Sequence, residues 1–246
     1  MDPLALTLTV FAFLTSALSG LAGMGGGTIL IGVFFALGLT PVEAVPLFAA
    51  VQFVSNSSRT IAYVRHVEWH GAAWFALALV PATFLLAPFA EDVNSDVVRL
   101  ILAGLILASL VPTRDGAAPL PPRPSFVLAG LLNGSIGMFV GATGLFVGRL
   151  FLRPEWRKET TIATLAFTQV IGHGMRVIAY GFVGYSALAR PALLVPLCVA
   201  VVAGTWTGKH LNGRISEERF AGLFKAILGI LSIKLLFDAA RGFGWI

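Results

Sequence analysis

From Ala72 to Ala90, and again from Ala192 to Gly208, the chain carries no acidic or basic side chain. Such stretches approach the roughly 20 residues an α-helix needs to cross hydrocarbon. A backbone inside lipid must satisfy its own polar groups, which restricts it to helices or closed barrels. We therefore read both stretches as transmembrane helices, with Val97 to Val111 as another. Of the 246 residues only 12% are charged and 57% are apolar, whereas soluble domains carry about a quarter charged residues. That leaves too few charges to cover a water-facing surface, and the chain is expected to be an all-α, multi-pass membrane protein with the lipid bilayer as its partner.

The net charge of +5 comes from Lys and Arg scattered among apolar helices. It is better explained by loop charge orienting a membrane protein than by nucleic-acid binding. Cys198 is the single cysteine, so neither an internal disulfide nor a cysteine metal cluster is expected. His66, His70 and His210 form no ligand spacing with carboxylates, and no metal or cofactor is expected. The run from Leu4 to Leu18 lacks a basic start and a small-residue cleavage site, so it is read as a mature helix.

Sliding the sequence over itself by 117 positions aligns Ala49 to Tyr63 with Ala166 to Tyr180, pairing Ala49, Gln52, Arg59, Ile61, Ala62 and Tyr63 with identical residues. The same offset pairs Gly20 with Gly137, Gly27 with Gly144 and Phe34 with Phe151. This points to an internal duplication. The expected organisation is a first transmembrane repeat over 1–112, a Pro-rich linker over 113–124 and a second repeat over 125–246.

Each half reads as an apolar helix, a Gly-rich break, a short apolar segment and three longer helices. In the first half these are Leu4–Ala22, Gly23–Gly27, Thr28–Leu39, Glu43–Val64, Ala72–Ala90 and Val97–Val111. In the second they are Phe126–Val140, Gly141–Gly144, Leu145–Leu152, Glu159–Val183, Leu188–Gly208 and Phe220–Ala239. Loop charge sets their orientation. The loop Glu91–Asp96 is acidic where its counterpart Lys209–Arg219 is rich in cations, and Arg65–His70 holds a cation where Gly184–Ala187 has none. Placing the basic loops inside, with Arg114, Arg123, Arg153, Arg157 and Lys158, turns the halves opposite ways. The expectation is two inverted repeats of about five membrane segments each, with a broken or short helix after each Gly-rich turn and both termini outside.

The two breaks carry the functional reading. Glycine lets a backbone turn and approach a ligand, and a helix starting after the break offers N–H groups and a positive dipole end to an anion. This nominates Gly25, Gly26 and Gly27 on one side and Gly141, Ala142, Thr143 and Gly144 on the other. Paired interruptions at equivalent positions mark a transporter site near the midplane, although glycines also serve close helix packing.

Gln52, Ser55, Asn56 and Arg59 are spaced to line one helix face, and Gln169, Gly172, His173 and Arg176 repeat that spacing. Polar groups in lipid point into the bundle or an aqueous cavity. Interhelical bonding for the amides and snorkelling for the arginines are the bland alternatives. His173 admits two readings, a proton-coupling group and a hydrogen-bonded interior histidine. No carboxylate pair, Walker-type phosphate loop or nucleophile-base spacing is present, so an enzyme is not expected.

The motifs Gly23–Gly27, Gly38–Ala44, Val140–Gly144 and Ile162–His173 together resemble the sulfite exporter TauE/SafE family. Gly32 and Arg149 stand where members often carry proline, and Thr164 keeps the family's Ala-Thr step, whereas Leu47 does not. The resemblance implies transport of sulfite, sulfonates or related organic anions across a bacterial inner membrane. A secondary transporter working by alternating access is the leading expectation. An anion channel on the same scaffold is the alternative, and a membrane-embedded enzyme or its structural partner is the third reading. A homo-oligomer is compatible with the sequence.

Overall fold

The structure is a computed structural model that describes residues 3–22, 25–111, 120–211 and 217–246. Among these residues every regular element is helical. In order they are α1 (Pro3–Ala22), α2 (Gly26–Ala36), α3 (Pro41–Tyr63), α4 (Trp69–Leu86), α5 (Ser95–Leu110), α6 (Pro122–Gly134), α7 (Ile136–Val140), α8 (Gly144–Val147), α9 (Lys158–Phe182), α10 (Pro191–Leu211) and α11 (Glu217–Gly242). Residues 23–24 of the first break, residue 112, 113–119 of the expected linker including Arg114, and 212–216 of the basic loop lie outside the described residues.

Local chemistry sets the helix starts. Thr40 and Glu43 form a reciprocal capping box on α3, and the Asn94 side chain accepts from the Asp96 and Val97 amides at α5. At α4 the Glu68 carboxylate accepts from the Gly71 N–H. Proline opens α3 and α6, where its missing N–H would have no partner anyway. For that reason α6 begins at Pro122, inside the stretch expected as linker.

Three helical stretches, Trp69–Phe89, Lys158–Phe182 and Pro191–Gly208, are long and apolar enough to cross a membrane. Long helices also expose apolar faces. Val195, Val199, Val202 and Trp206 form an exposed stripe on α10, and Ile230, Ile233 and Phe237 one on α11. Water would not tolerate so much contiguous apolar surface, whereas lipid does. The chain is an all-α membrane protein. The α5 stretch also contains Arg99, which pairs with Asp96 at 2.5 Å in the first turn.

Both expected short segments are present. The 11 residues of α2 reach about 16 Å, half of a hydrocarbon core of about 30 Å. The second segment differs from the expected helix: Gly144–Val147 makes one α turn and continues as a 3-10 turn over Gly148–Phe151. The helix expected over Phe126–Val140 is likewise broken, at Ser135 (φ −92°, ψ −82°), into α6 and α7.

Helix α1 packs on α10, α4 on α6, α3 on α9 and α5 on α11. Two of these contacts are made through glycine pairs four residues apart. A Cβ on Gly204 or Gly208 would collide with the carbonyl oxygens of Phe13 and Ala17, and one on Gly130 or Gly134 with those of Phe75 and Leu79. Such close backbone approach is what small residues permit in membranes. The rising numbers on both partners show that α1 runs parallel to α10, and α4 to α6.

In contrast, α3 and α9 are antiparallel. Phe48, early in α3, meets the His173 ring at 5.4 Å, late in α9. Glu68, just past the end of α3, donates its N–H to Thr164 near the start of α9 at 2.9 Å. Helices α5 and α11 are also antiparallel, since Asp96 in the first turn of α5 lies against Gly242, the last residue of α11.

The glycine contacts give a direct test. Gly204→Val is expected to push α10 off α1 and destabilise the protein by about 1–3 kcal/mol, read as a lower unfolding temperature in detergent. Gly222→Val, where an added Cβ meets nothing within 4 Å, is expected to leave that temperature unchanged.

Candidate functional site

The two Gly turns come close together: a Cβ on Gly25 would meet Leu145, just past the second turn, and one on Gly141 would meet Ile31 of α2 and Phe48 of α3. Gly25 (φ 95°) and Gly141 (φ 82°) occupy backbone conformations that L-side chains rarely adopt. Beyond each turn a helix restarts. The Gly25 carbonyl accepts from Thr28 N–H at 3.1 Å, and the Thr143 carbonyl from Phe146 N–H at 3.0 Å and Val147 N–H at 2.8 Å.

Between the turns lies a cavity of about 640 Å³ of empty space, counted out to its open mouth. Its walls bring together Gly25, Gly27, Gln52, Asn56, Arg59, Ala142, Gly144, Gln169 and His173, all singled out in the sequence. Shifted by 117 positions, Gly25 falls on Ala142, Gly27 on Gly144, Thr28 on Leu145, Phe48 on Leu165, Gln52 on Gln169 and Asn56 on His173, and every one of these twelve residues lines the cavity.

Four nominated residues do not line it. Gly26 packs against α1, where a Cβ would collide with the Thr15 carbonyl. Gly141 forms the second turn, and the buried Thr143 hydroxyl accepts from Asn133 Nδ2 at 3.1 Å. Arg176 is buried at 1% exposure and bonded on both arms. Its Nη1 donates to Gly141 O at 2.9 Å, and its Nη2 to Asn133 O at 3.0 Å and Oδ1 at 2.6 Å. Ser55 and Gly172 sit on the same faces as their neighbours without joining the walls, and Gly172 leaves room for the Asn133 side chain. Arg149 donates to the Ser109 and Val111 carbonyls at the end of α5, away from the cavity.

The sequence reading missed Ser19, Thr28, Phe48, Leu145, Ile162, Leu165 and Ala166 in the walls. Phe48 and Leu165 lie one helical turn before Gln52 and Gln169, so extending the polar stripe by four residues finds both. Asn133 was also missed, because an isolated amide in an apolar helix carries no pattern.

Among the described residues the walls contain Arg59, amides, hydroxyls and an imidazole but no carboxylate. The Gln52 amide lies so close to Gly27 that an added Cβ there would collide with its Nε2. Gln169 Nε2 is buried without a hydrogen-bond partner. Among the described residues no group of three His, Cys, Asp or Glu is placed to hold a metal. The site is rich in donors and cationic in sign.

Such a chain is a helical membrane protein with a polar, donor-lined cavity at the meeting of two interrupted helices. A family model described as sulfite exporter TauE/SafE matches residues 8–235, and the chain belongs to that family of membrane anion transporters. No curated protein matches it. No solved structure matches it either.

Gly144 provides a probe of the cavity, since a Cβ there meets nothing within 4 Å while the residue lines the wall. Gly144→Val is expected to fill the space without disturbing the fold. Its unfolding temperature should stay within about 2 °C of wild type, a change of no more than about 1 kcal/mol. Sulfite binding, read by thermal shift, should weaken at least about tenfold.

Proposed function

We propose that the chain is a secondary transporter of a small oxyanion, sulfite or a sulfonate, working by alternating access about the cavity between the two Gly turns. The observation that carries this reading is the set of six equivalent pairs in the cavity wall. Inverted-repeat transporters hold substrate where their halves meet, beside discontinuous helices.

The helix directions support the same reading. The duplication makes α3 and α9 equivalents, and likewise α5 and α11, yet each pair runs antiparallel. Equivalent helices of opposite direction belong to two repeats, 1–112 and 125–246, inverted about an axis in the membrane plane. The linker 113–124 joins them, and the protein is multi-pass in an inner membrane.

Arg59 and the Gln52 and Gln169 amides supply charge and donors. Inside a low-dielectric bundle these act more strongly on an anion than they would in water. A channel on the same scaffold would pass the same anions without coupling to a gradient.

Protein reconstituted in liposomes is expected to carry labelled sulfite with saturation. A charge-assisted hydrogen bond contributes about 1.5–3 kcal/mol, so Arg59→Ala should lower flux at sub-saturating sulfite at least about tenfold. Unchanged flux in Arg59→Ala removes the arginine from the mechanism. Unsaturable flux that discharges an imposed gradient without being driven by one makes the protein a channel.

A further inference from the structure

Arg176 does more than brace the second turn. Its Nη1 also lies 3.1 Å from His173 Nδ1. A guanidinium has five N–H donors and no acceptor, so the Nδ1 facing it must carry a lone pair. The ring proton then sits on Nε2, and the imidazole is neutral. An imidazolium, or the Nδ1–H tautomer, would point N–H at N–H.

The ring has little freedom to escape this arrangement. His173 is 4% exposed, and Phe48 meets it edge-on at 80°. Arg176 is itself anchored through Gly141 and Asn133. With Nδ1 occupied, Nε2–H is the one polar group the ring has left, and the ring lines the cavity. The charged side chain in contact with it is Arg176 of its own helix; Arg59 of α3 lines the same cavity, and no carboxylate lines it among the described residues.

We propose that Arg176 is a positioning residue that locks His173 as the neutral Nε2–H tautomer, making His173 a hydrogen-bond donor to the substrate oxyanion and not a proton carrier. This rests on the transport reading above. The equivalent residue in the first half is Asn56, whose Nδ2 is drawn back to Gln52 O at 2.9 Å. The ring donor therefore belongs to the second half alone. An oxyanion in the cavity would receive the His173 N–H from one wall and the Arg59 charge from the other. A neutral histidine donor polarises an oxyanion without giving it a proton, so a weakly basic oxyanion such as sulfite keeps its charge while bound.

Nitrogen NMR of histidine-labelled protein in lipid nanodiscs at neutral pH tests the tautomer directly. His173 is identified among the four histidines as the signal lost in His173→Gln. The expected result is one neutral species with the proton on Nε2. Arg176→Lys keeps the charge but loses the planar fork. It should give mixed tautomers and raise the KM for sulfite flux about tenfold, with kcat changed less.

His173→Gln keeps an N–H donor and should retain flux within about threefold, whereas His173→Phe should lose about tenfold or more. An imidazolium or Nδ1–H species in wild type overturns the proposal. So does His173→Phe carrying sulfite as wild type does. Absence of wild-type sulfite flux overturns the transport reading, and with it the substrate role of His173. A wrong tautomer in a transporting protein overturns the present proposal alone.

Discussion

Helix α6 stops at Gly134 inside the bundle, and the carbonyls released there must be satisfied by protein groups. An unpaired backbone group in an apolar interior costs free energy comparable to a lost hydrogen bond. Arg176 meets this demand from α9. One planar guanidinium reaches the Asn133 carbonyl at the end of α6 and the Gly141 carbonyl at the end of α7. Both carbonyls lie at helix C-termini, the negative ends of helix dipoles, which partly offset the cost of burying a cation. Tyr180, one turn further along α9, donates to Met138 O at 3.0 Å. Gly137 leaves the space the guanidinium occupies, since a Cβ there would stand 2.7 Å from Nη2. The second Gly turn, and with it one wall of the cavity, is held by α9.

The first half carries the same residues in a different setting. Arg176, Ala179 and Tyr180 are all buried, whereas Tyr63 is 37% exposed and Ala62 is also exposed in the matching stretch. The register explains part of this difference. Helix α3 gives way to a 3-10 turn at Val64, while α9 continues to Phe182. Arg59 thus lines the cavity, and its equivalent is fixed behind the wall. Under the proposed mechanism this inequality is informative. Two inverted repeats in unequal environments would be what a single state of that alternating cycle presents, because full equivalence would place the cavity halfway between its two openings.

The sequence disclosed the helices because their apolar runs are long, and it singled out nine residues that line the cavity because the polar stripe recurs at an offset of 117 positions. Gln52 and Gln169 are legible for a physical reason: a bilayer penalises isolated amides, so a pair of them at equivalent positions stands out. What stayed hidden depends on long-range geometry. The break at Ser135 follows no proline, and the tie between Asn133 and Arg176 spans 43 positions with no local pattern to announce it. The spacing on α9 placed Arg176 on the face of Gln169 and His173, but periodicity cannot say how deep along a helix a long side chain reaches. Reaching past the cavity to the broken helix end, the guanidinium became a support for the wall. The one-turn second short segment escaped for a similar reason. Gly148 and Arg149 interrupt its apolar run, and the Arg149 head turns to the end of α5.

The charge of the cavity follows from what the surrounding helices leave out. The carboxylates Glu43, Glu68 and Asp96 are engaged at helix starts, and Asp238 pairs with Lys234 on α11. None of them reaches the cavity wall. Arg176 meanwhile is compensated by carbonyls and a neutral imidazole, which carry dipoles but no formal charge, so its positive potential persists in the bundle. Arg59 adds to it from the opposite wall. Low-dielectric surroundings extend both fields, and among the described residues the polar side chains lining the cavity are amides, hydroxyls, an imidazole and a guanidinium. A cation entering the cavity would find no compensating charge, and a neutral solute would gain nothing from the field. Under the proposed function, a small anion would relieve the mutual repulsion of the two arginines and accept from the donors around it, a selection that acts before any single contact is specified.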